Sequence, residues 1–224
     1  MNFLITAGPT HEPLDPVRYL SNHSSGKMGY ALAEAAAIAG HHVVLVSGPV
    51  SIAPPEQVKT KRVVTSDDMF SAVRECAVGM DVIVMAAAVA DFKPLHYRKA
   101  KIKKDELAVE SGVYRLELVK TQDILASIRQ VLPNAFLVGF AAETDRLEQN
   151  AIKKLRDKRC DLIICNDVSR SDIGFRSDYN EVTLYFQDGR REPLARCKKT
   201  ELARQLVHML ALEAKKKWQR TKLE

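Results

Sequence analysis

The sequence predicts an α/β protein whose core is a doubly wound, mostly parallel, Rossmann-like sheet with an added antiparallel hairpin element. Short and almost continuously apolar runs recur along the 224 residues, and patterns typical of helices separate them. Strands that are buried on both faces of a parallel sheet have such continuous apolar runs. Parallel strands also need a long crossover, usually a helix, so the β-α-β order favours this architecture. An Asp-Gly turn near the C-terminus predicts the hairpin.

The five apolar runs are interpreted as five strands, each followed by a polar or glycine-bearing turn. The predicted strands cover residues 2–7, 42–47, 82–88, 136–141 and 161–165. Helical patterns fill the intervals, and the predicted helices cover about 27–39, 67–78, 122–131, 145–157 and 198–214. In such a sheet ligands bind beyond the carboxyl ends of the strands. The turns that follow the strands are therefore the place to look for a site.

The hairpin is predicted from two alternating stretches, 182–186 and 191–194, on either side of the Asp-Gly turn. This dipeptide is a strong hairpin signal because both residues tolerate the backbone angles of a tight turn. The stretches 106–110 and 114–119 also alternate polar and apolar residues. We expect these antiparallel pieces to extend the sheet or to carry a subunit contact.

Composition indicates a single folded domain, 1–214, followed by a basic tail, 215–224, that we expect to be a frayed helix end. Hydrophobic residues make up 46% of the chain and charged residues 28%, as in ordinary globular proteins. No apolar run approaches the ~20 residues that span a bilayer, and the N-terminus lacks the features of a signal peptide. The net charge of +6 is modest, so neither nucleic acid nor a membrane is an expected partner.

The four cysteines indicate a reducing compartment. None belongs to a C-x-x-C pair, and Cys160 and Cys165 flank an apparent buried strand. The histidines lack the spacing of metal ligands, since His41 and His42 are adjacent and the others are scattered. We therefore expect free thiols, a cytoplasmic protein, and neither a disulfide nor a zinc site.

The loop before the first predicted helix is the most informative part of the chain. It contains Ser24, Ser25, Gly26 and Lys27. Backbone N–H groups at a helix start have no helical partner, and the helix dipole adds partial positive charge there. Two hydroxyls and an ammonium group add further donors. The sequence therefore predicts an anion-binding loop.

The common phosphate-binding fingerprints are absent from this chain. The turn after the first strand contains Gly8-Pro9 in place of G-x-G-x-x-G, and no G-x-x-x-x-G-K-[ST] motif occurs. Asp91 follows the third buried strand, at the same predicted edge of the sheet as the anion-binding loop. A carboxylate there suggests a ribose, metal or phosphate contact. The remaining strand ends are equally typical of ordinary turns.

Two lysine clusters each allow two interpretations. The basic segment 93–104 is either a solvated loop or a mobile lid that supplies ammonium groups to a polyphosphate. Lys154 and Lys158 share a helix face at i, i+4 spacing, and they either increase solubility or face the same anion.

With these residues in view, the chain resembles the phosphopantothenate–cysteine ligase family, in its bacterial CTP-dependent branch and without the fused decarboxylase domain. The resemblance runs from residue 2 to about residue 210, and its motifs occur in the order and spacing of the family. The segments that carry it are Glu-Pro-Leu-Asp-Pro-Val-Arg-Tyr at 12–19, Ser-Asn-His-Ser-Ser-Gly-Lys-Met-Gly at 21–29, Ala-Ala-Val-Ala-Asp at 87–91, Lys-Ile-Lys-Lys at 101–104, Gly-Phe-Ala-Ala-Glu-Thr at 139–144 and Asn-Asp-Val at 166–168.

The resemblance implies a two-step reaction in coenzyme A biosynthesis. The carboxylate of 4′-phosphopantothenate attacks the α-phosphate of CTP, pyrophosphate leaves, and an acyl-cytidylate forms. The amine of L-cysteine then attacks the acyl carbon and releases CMP, which gives 4′-phosphopantothenoylcysteine. Both steps build negative charge, which N–H donors, lysines and Mg²⁺ stabilise. The family implies Mg²⁺ as cofactor, a homodimer with shared sites, and no flavin in this chain.

The resemblance also implies the site residues. Asn22 matches the asparagine that contacts the acyl intermediate, and Lys101 matches the lysine that neutralises nucleotide phosphate; these two are the expected catalytic residues. Further substrate contacts are expected at Arg18, which would meet the substrate phosphate, and at Ser24, Ser25, Gly26 and Ala88. Nucleotide contacts are expected at Ala87, Asp91, Lys101, Gln122, Asp123, Ile124, Leu125, Phe140, Lys154 and Lys158. The family usually has proline at the position of Gln122, so a backbone contact is expected there.

Two other functions are compatible with this type of fold. An NAD(P)-dependent reductase would need the dinucleotide fingerprint and a Tyr-x-x-x-Lys pair in a suitable helix, and the sequence has neither. A non-catalytic nucleotide-binding module would be favoured by loss of the lid lysines, but Lys101, Lys103 and Lys104 are all present. The ligase is therefore the leading hypothesis.

Overall fold

The structure, a computed structural model, describes residues 1–103, 114–170 and 172–221. Its strands are β1 (Asn2–Ala7), β2 (His11–Pro13), β3 (Tyr19–Ser21), β4 (His42–Ser47), β5 (Lys59–Arg62), β6 (Val82–Met85), β7 (Phe92–Pro94), β8 (Leu118–Lys120), β9 (Phe136–Glu143), β10 (Leu162–Asp167), β11 (Tyr179–Phe186) and β12 (Arg191–Lys198). Its helices are α1 (Lys27–Ile38), α2 (Ser66–Cys76), α3 (Ile124–Val131), α4 (Leu147–Asp157) and α5 (Lys199–Thr221). Lys104 and the predicted stretch 106–110 lie outside the described residues.

Eight of these strands form one sheet in the order β12-β11-β10-β9-β6-β1-β4-β5. The strands from β10 to β5 in this order are parallel, and the hairpin β11–β12 adds antiparallel to β10. The predicted α/β fold and the sheet-extending hairpin are thus confirmed. From β1 the chain moves outward to β4 and β5 and then returns to β6, on the other side of β1. The carboxyl ends of β1 and β6 therefore bracket the crevice where such sheets bind ligands.

Helices cover both faces of the sheet. One face buries Phe3 and Ile5 together with apolar side chains of α1 and α5. The other face buries Leu4 together with side chains of α2, α3 and α4. Because successive residues of a strand point to opposite faces, a central strand must be apolar at every position. Each such Leu or Phe contributes about 1.5–3 kcal/mol when it is fully buried.

The predicted strand 82–88 is wrong at its end, because β6 stops at Met85. The next residues leave the sheet and approach the turn after β1. The Ala88 N–H donates to the Gly8 carbonyl at 2.9 Å, and Ala88 forms an isolated parallel bridge with Pro9. An apolar alanine run does not reveal this departure, since alanine is equally compatible with the turn.

The sequence analysis did not predict the short polar strands. The strand β5 has the sequence Lys-Thr-Lys-Arg and lies at the edge of the sheet, where side chains face water and charge is favourable. Two small antiparallel pairs, β2 with β3 and β7 with β8, stand apart from the main sheet. The predicted alternating stretch 114–119 contributes only its end to β8.

The frayed tail expected from 215 onward is corrected for residues 215–221, which continue α5 to Thr221. The Lys217 ammonium forms an ion pair with Asp161 at 2.8 Å and donates to the Ala135 carbonyl at 3.1 Å. These contacts anchor the last turns of the helix on the sheet, which a charge run cannot reveal.

Across the described residues, no helix has the length and apolar character needed to cross a membrane.

Candidate active site

A cavity of about 310 Å³ opens beside the carboxyl ends of β1 and β4. Its floor and walls come from the turns that follow these strands, from the small pair β2–β3, and from the loop that leads into α1. It contains three of the predicted substrate-binding residues, Asn22, Ser24 and Ser25. The full lining is Pro9, His11, Tyr19, Ser21, Asn22, His23, Ser24, Ser25, Pro49, Val50, Ser51 and Arg176.

The N-terminus of α1 has the features of an anion-binding turn. Gly26 is the N-cap residue with φ 77°, and no described side chain caps the helix. A Cβ atom at Gly26 would lie 2.7 Å from a methyl carbon of Val50, so the position requires glycine for its backbone angle and for space. The Ser24 hydroxyl accepts from the Gly26 N–H at 3.3 Å. The dipole and the uncapped end of α1 therefore favour a negative charge at this cavity.

Asn22 is fixed against Ala88, another of the predicted substrate-binding residues. The Asn22 Nδ2 atom donates to the Ala88 carbonyl at 2.9 Å, across a separation of 66 residues. The same carbonyl accepts from the Thr10 N–H at 3.3 Å, and the neighbouring Ala87 N–H donates to the buried Thr6 hydroxyl at 3.0 Å. An amide NH₂ has two hydrogen atoms, so Asn22 keeps a second donor for a ligand.

Arg18 and Ile102 of the basic segment 93–104 meet at a buried carboxylate, Asp15. One Asp15 oxygen accepts from the Ile102 N–H at 3.1 Å and from the Arg18 guanidinium at 2.6 and 3.0 Å. The guanidinium also donates to the Ile102 carbonyl at 2.6 Å, and the Ile102 side chain is buried. Because Lys101 precedes this anchored residue, its backbone has a fixed attachment beside Arg18.

The pKa of Asp15 is well below its ordinary value. Burial alone would raise it, but the backbone N–H groups of Ile102, Val17 and Arg18 and the Arg18 guanidinium stabilise the carboxylate and reverse the sign. The role of Asp15 could not be predicted from the sequence, where it is only one residue of the segment 12–19. The Asp-Pro-x-Arg pattern was a weak local signal, because the partner Ile102 lies 87 residues away.

The predicted nucleotide-binding residues assemble at the carboxyl ends of β6 and β9. The Lys154 ammonium donates to the Phe140 carbonyl at 2.6 Å. Burial lowers the pKa of Lys154, and the charges of Glu143 and Asp91 partly oppose that effect.

Lys158 and the start of α3 complete this second group. Lys158 forms an ion pair with Asp123, whose other carboxylate oxygen caps α3 by accepting from the Ala126 N–H at 3.0 Å. Gln122 and Asp123 are exposed, whereas the side chains of Ile124 and Leu125 are buried in the core. Any ligand contact at those last two residues therefore belongs to their backbone atoms.

The turn 86–91 joins the two groups of predicted residues. The Ala90 N–H donates to the Thr10 hydroxyl at 3.0 Å, and the Thr121 N–H donates to the Asp91 carbonyl at 3.0 Å. Through the Ala88 carbonyl the turn contacts Asn22, which lines the cavity. Through the Asp91 carbonyl it contacts Thr121, two residues before the N-cap of α3. The two halves of the predicted site are thus neighbours on one edge of the sheet.

Several cavity residues were missed by sequence reasoning. The rings of His11 and Tyr19 stack at 3.8 Å with an angle of 10° between their planes, and they form one wall. Arg176 reaches the cavity from the loop between β10 and β11. No local pattern marked these residues, because their roles depend on strand pairing and on a loop some 150 residues away from the anion-binding loop.

The described residues do not form a protein metal cage. Residues 1–103, 114–170 and 172–221 contain no group of three or more His, Cys, Asp and Glu side chains arranged to hold a metal ion. All four cysteines are free thiols. Burial raises the pKa of Cys160 to about 12 and that of Cys165 to about 11, so neither is a thiolate at neutral pH.

A larger cavity of about 490 Å³ lies at the opposite, amino-terminal edge of the sheet. Its lining includes the ion cluster of Asp161, Arg129 and Lys217, together with residues of the β11–β12 turn. None of the predicted site residues lines it. Size alone therefore does not identify the site, whereas the convergence of strand ends and anion-binding donors does.

Comparisons with known proteins identify the family. Residues 1–213 match the family model described as the DNA/pantothenate metabolism flavoprotein C-terminal domain. The chain is 46% identical over 191 residues to the coenzyme A biosynthesis bifunctional protein CoaBC of Vibrio vulnificus strain CMCP6, which covers 85% of this chain and 47% of that protein. CoaBC of Bacillus subtilis strain 168 is 42% identical over 219 residues, 97% of this chain and 53% of that protein. The chain spans about half the length of these curated relatives.

Solved structures show the same fold. The C-terminal domain of a CoaBC protein has a TM-score of 0.80 at 38% identity, and the match covers 96% of each chain. A Cab2 mutant in complex with phosphopantothenate-cysteine has a TM-score of 0.79 at 17% identity, covering 99% of this chain and 88% of that one, and it shows the fold alone. Since the family model spans nearly all of its residues, this chain belongs to the family of the DNA/pantothenate metabolism flavoprotein C-terminal domain.

Proposed function

We propose that this chain is a phosphopantothenate–cysteine ligase. It would join 4′-phosphopantothenate and L-cysteine through an acyl-cytidylate, consuming CTP and releasing CMP and pyrophosphate. The observation that carries this proposal is the Asn22 amide fixed on the Ala88 carbonyl in a cavity whose other wall is the anion-binding loop. The relatives are named for coenzyme A biosynthesis, and one structural neighbour holds phosphopantothenate-cysteine.

The first step would take place between the two halves of the site. A carboxylate oxygen of 4′-phosphopantothenate attacks the α-phosphorus of CTP, and the bond to pyrophosphate breaks. Lys101, attached beside Arg18 through Ile102, would neutralise the charge that builds on the nucleotide phosphates. Lys154, Lys158 and Asp91 would hold the nucleotide on the far side of the turn 86–91.

The second step would use the second donor of Asn22. The amine of cysteine attacks the acyl carbon, loses a proton, and the bond to CMP breaks. Negative charge develops on the acyl oxygen during this attack. A neutral amide that is already oriented by Ala88 stabilises that charge without reorganisation at the moment of reaction.

The remaining assignments follow the family. CTP rather than ATP, a homodimer with shared sites and a cytoplasmic setting are proposed on the resemblance. Mg²⁺ is proposed as the ion that accompanies the nucleotide, because Mg²⁺ commonly binds through substrate phosphates with few protein ligands. The absence of a metal cage among the described residues is compatible with that arrangement, and no step is assigned to a protein-bound metal.

The test is a pyrophosphate-release assay of the purified chain with Mg²⁺, 4′-phosphopantothenate, and either CTP or ATP. We expect release with CTP, and with cysteine present we expect phosphopantothenoylcysteine and CMP in equal amounts. Release with ATP alone would overturn the base assignment. Folded protein that releases no pyrophosphate with either nucleotide would overturn the ligase.

A further inference from the structure

The connection between β10 and β11 is tied to the anion-binding loop by side chains of that loop. The Ser25 hydroxyl donates to the Phe175 carbonyl, and the Lys27 ammonium donates to the Arg176 carbonyl at 3.0 Å. The residues 174–176 are therefore one support of the anion-binding loop. Because Ser25 is an expected substrate contact, a side chain that fixes the 174–176 segment also bears on the candidate site.

Lys199, the first residue of α5, holds the 174–176 segment from within the protein. Its buried ammonium donates to the Gly174 carbonyl at 2.6 Å and to the Phe175 carbonyl at 3.4 Å. The Phe175 carbonyl thus accepts from Lys199 and from Ser25 at the same time. Gly174 is itself buried, so its carbonyl needs a donor inside the protein, and an apolar side chain at position 199 does not supply one.

The ammonium of Lys199 is charged at neutral pH in spite of its burial. Burial lowers its pKa to about 8, the charge of Lys27 lowers it further, and the charge of Asp178 raises it. Lys27 lies at the start of α1, and Asp178 directly precedes β11. A hydrogen bond from a charged donor is about twice as strong as one from a neutral donor. Lys199 therefore holds the two carbonyls most firmly while it is protonated.

We propose that Lys199 is a positioning residue of the candidate active site. Through the 174–176 segment it holds the anion-binding loop in the conformation that receives the substrate. This inference rests on the proposed function and gives Lys199 no contact with the substrate itself. The physical reason is that a small displacement of a positioned group, caused far from the chemistry, lowers a rate by as much as about 100-fold.

Steady-state ligation by a Lys199→Met variant at pH 7 tests this role. We expect kcat/KM for 4′-phosphopantothenate to fall by about 10- to 100-fold. Lys199→Gln keeps one neutral donor group and should lose less. The matched control is Lys216→Met, which removes an exposed lysine of the same helix that pairs with Glu213. Its kcat/KM should stay within about twofold of the wild type.

The pH dependence of the loss separates positioning by the charge from a merely structural role. Above pH 8 the wild type also loses the charge on Lys199. The ratio of wild-type to Lys199→Met kcat/KM should therefore shrink by about threefold or more between pH 7 and pH 9.5. A loss that comes only from altered packing keeps this ratio constant, because methionine does not titrate.

A double-mutant cycle with Ser25→Ala tests the route through the Phe175 carbonyl. Ser25→Ala removes one of the two hydrogen bonds to that carbonyl. If Lys199 acts through this contact, the loss in the double variant should be smaller than the product of the single losses by about threefold or more. Independent effects would multiply.

Hydrogen exchange gives a readout that does not depend on turnover. Backbone amides in a peptide that covers residues 20–30 should exchange about threefold faster or more in Lys199→Met than in the wild type. Lys216→Met should leave this exchange unchanged. A native circular dichroism spectrum establishes that a variant is folded, and Lys199→Gln takes the place of Lys199→Met in every comparison if the latter does not fold.

The outcomes distinguish this inference from the proposed function. Wild-type protein without turnover would overturn the ligase and this role with it. An active wild type, together with a Lys199→Met variant of equal kcat/KM and equal exchange, would overturn the role of Lys199 alone. A lowered kcat/KM with a pH-independent ratio and multiplicative losses in the cycle would also overturn it, because Lys199 would then contribute only to stability.

Discussion

At the residue scale, the sharpest prediction concerns Asn22. Asn22→Asp replaces a donor with a carboxylate that repels both the Ala88 carbonyl at 2.9 Å and the developing oxyanion. We expect kcat for ligation to fall by about 10²- to 10³-fold, as for loss of an oxyanion donor. The matched control is Asn134→Asp in the exposed turn before β9, which should keep full activity. Equal turnover of the two variants would remove Asn22 from the mechanism.

Because Lys199 is buried, we expect the free energy of unfolding to depend on pH. Burial lowers its pKa from 10.5 to about 8. Between these values the unfolded chain binds more protons than the folded chain, so the free energy of unfolding contributed by this group rises with pH, by at most about 1.4 kcal/mol per unit. Below pH 8 both states are protonated and the contribution is constant. Urea titrations of wild type and Lys199→Met at pH 7.5 and 9.5 should show the wild type gaining relative to the variant; a constant difference would contradict the lowered pKa.

At the element scale, the contact between α1 and β1 depends on Gly29. A Cβ atom there would lie 2.6 Å from the Ala7 Cβ and 2.7 Å from the Thr6 carbonyl oxygen. Alanine favours a helix over glycine by about 1 kcal/mol, yet we expect Gly29→Ala to lower the free energy of unfolding by about 1–3 kcal/mol, because α1 must move off the sheet. Glu34→Ala on the exposed face of α1 should stay within about 0.5 kcal/mol. A stabilised Gly29→Ala variant in urea titration would refute the close packing.

At the scale of the whole molecule, Asp161 ties three elements together. Its carboxylate accepts from Arg129 of α3 at 2.6 Å, from Lys217 of α5 at 2.8 Å and from the Leu137 N–H of β9 at 2.7 Å. Asp161→Asn would remove the negative charge that faces both of these largely buried cations, and we expect it to cost about 3 kcal/mol of stability. Asp145→Asn, at an exposed pair, should cost less than about 0.5 kcal/mol. Equal thermal midpoints for the two variants would show that this cluster does not hold α5.

Some elements of the whole molecule could be predicted from local sequence patterns, and others could not. The central strands were predictable because burial on both faces demands an apolar residue at every position, as in β1 and β4. The edge strand β5 was not predictable. Its Lys-Thr-Lys-Arg sequence lacks the continuous apolar run that marks a strand buried on both faces. The end of α5 was misjudged for a related reason, because Lys217 pairs with a residue 56 positions earlier in the chain.

The sequence by itself determined the α/β fold, the hairpin and the family, because apolar runs, turn residues and motifs are local in the chain. Only the tertiary structure decided which loops meet. It joins the Arg18 guanidinium to the Ile102 carbonyl, and it joins the Ser25 hydroxyl to the Phe175 carbonyl, next to Arg176. These contacts join residues separated by 84 to 150 positions. Their geometry follows from strand order and helix packing, which no local pattern encodes.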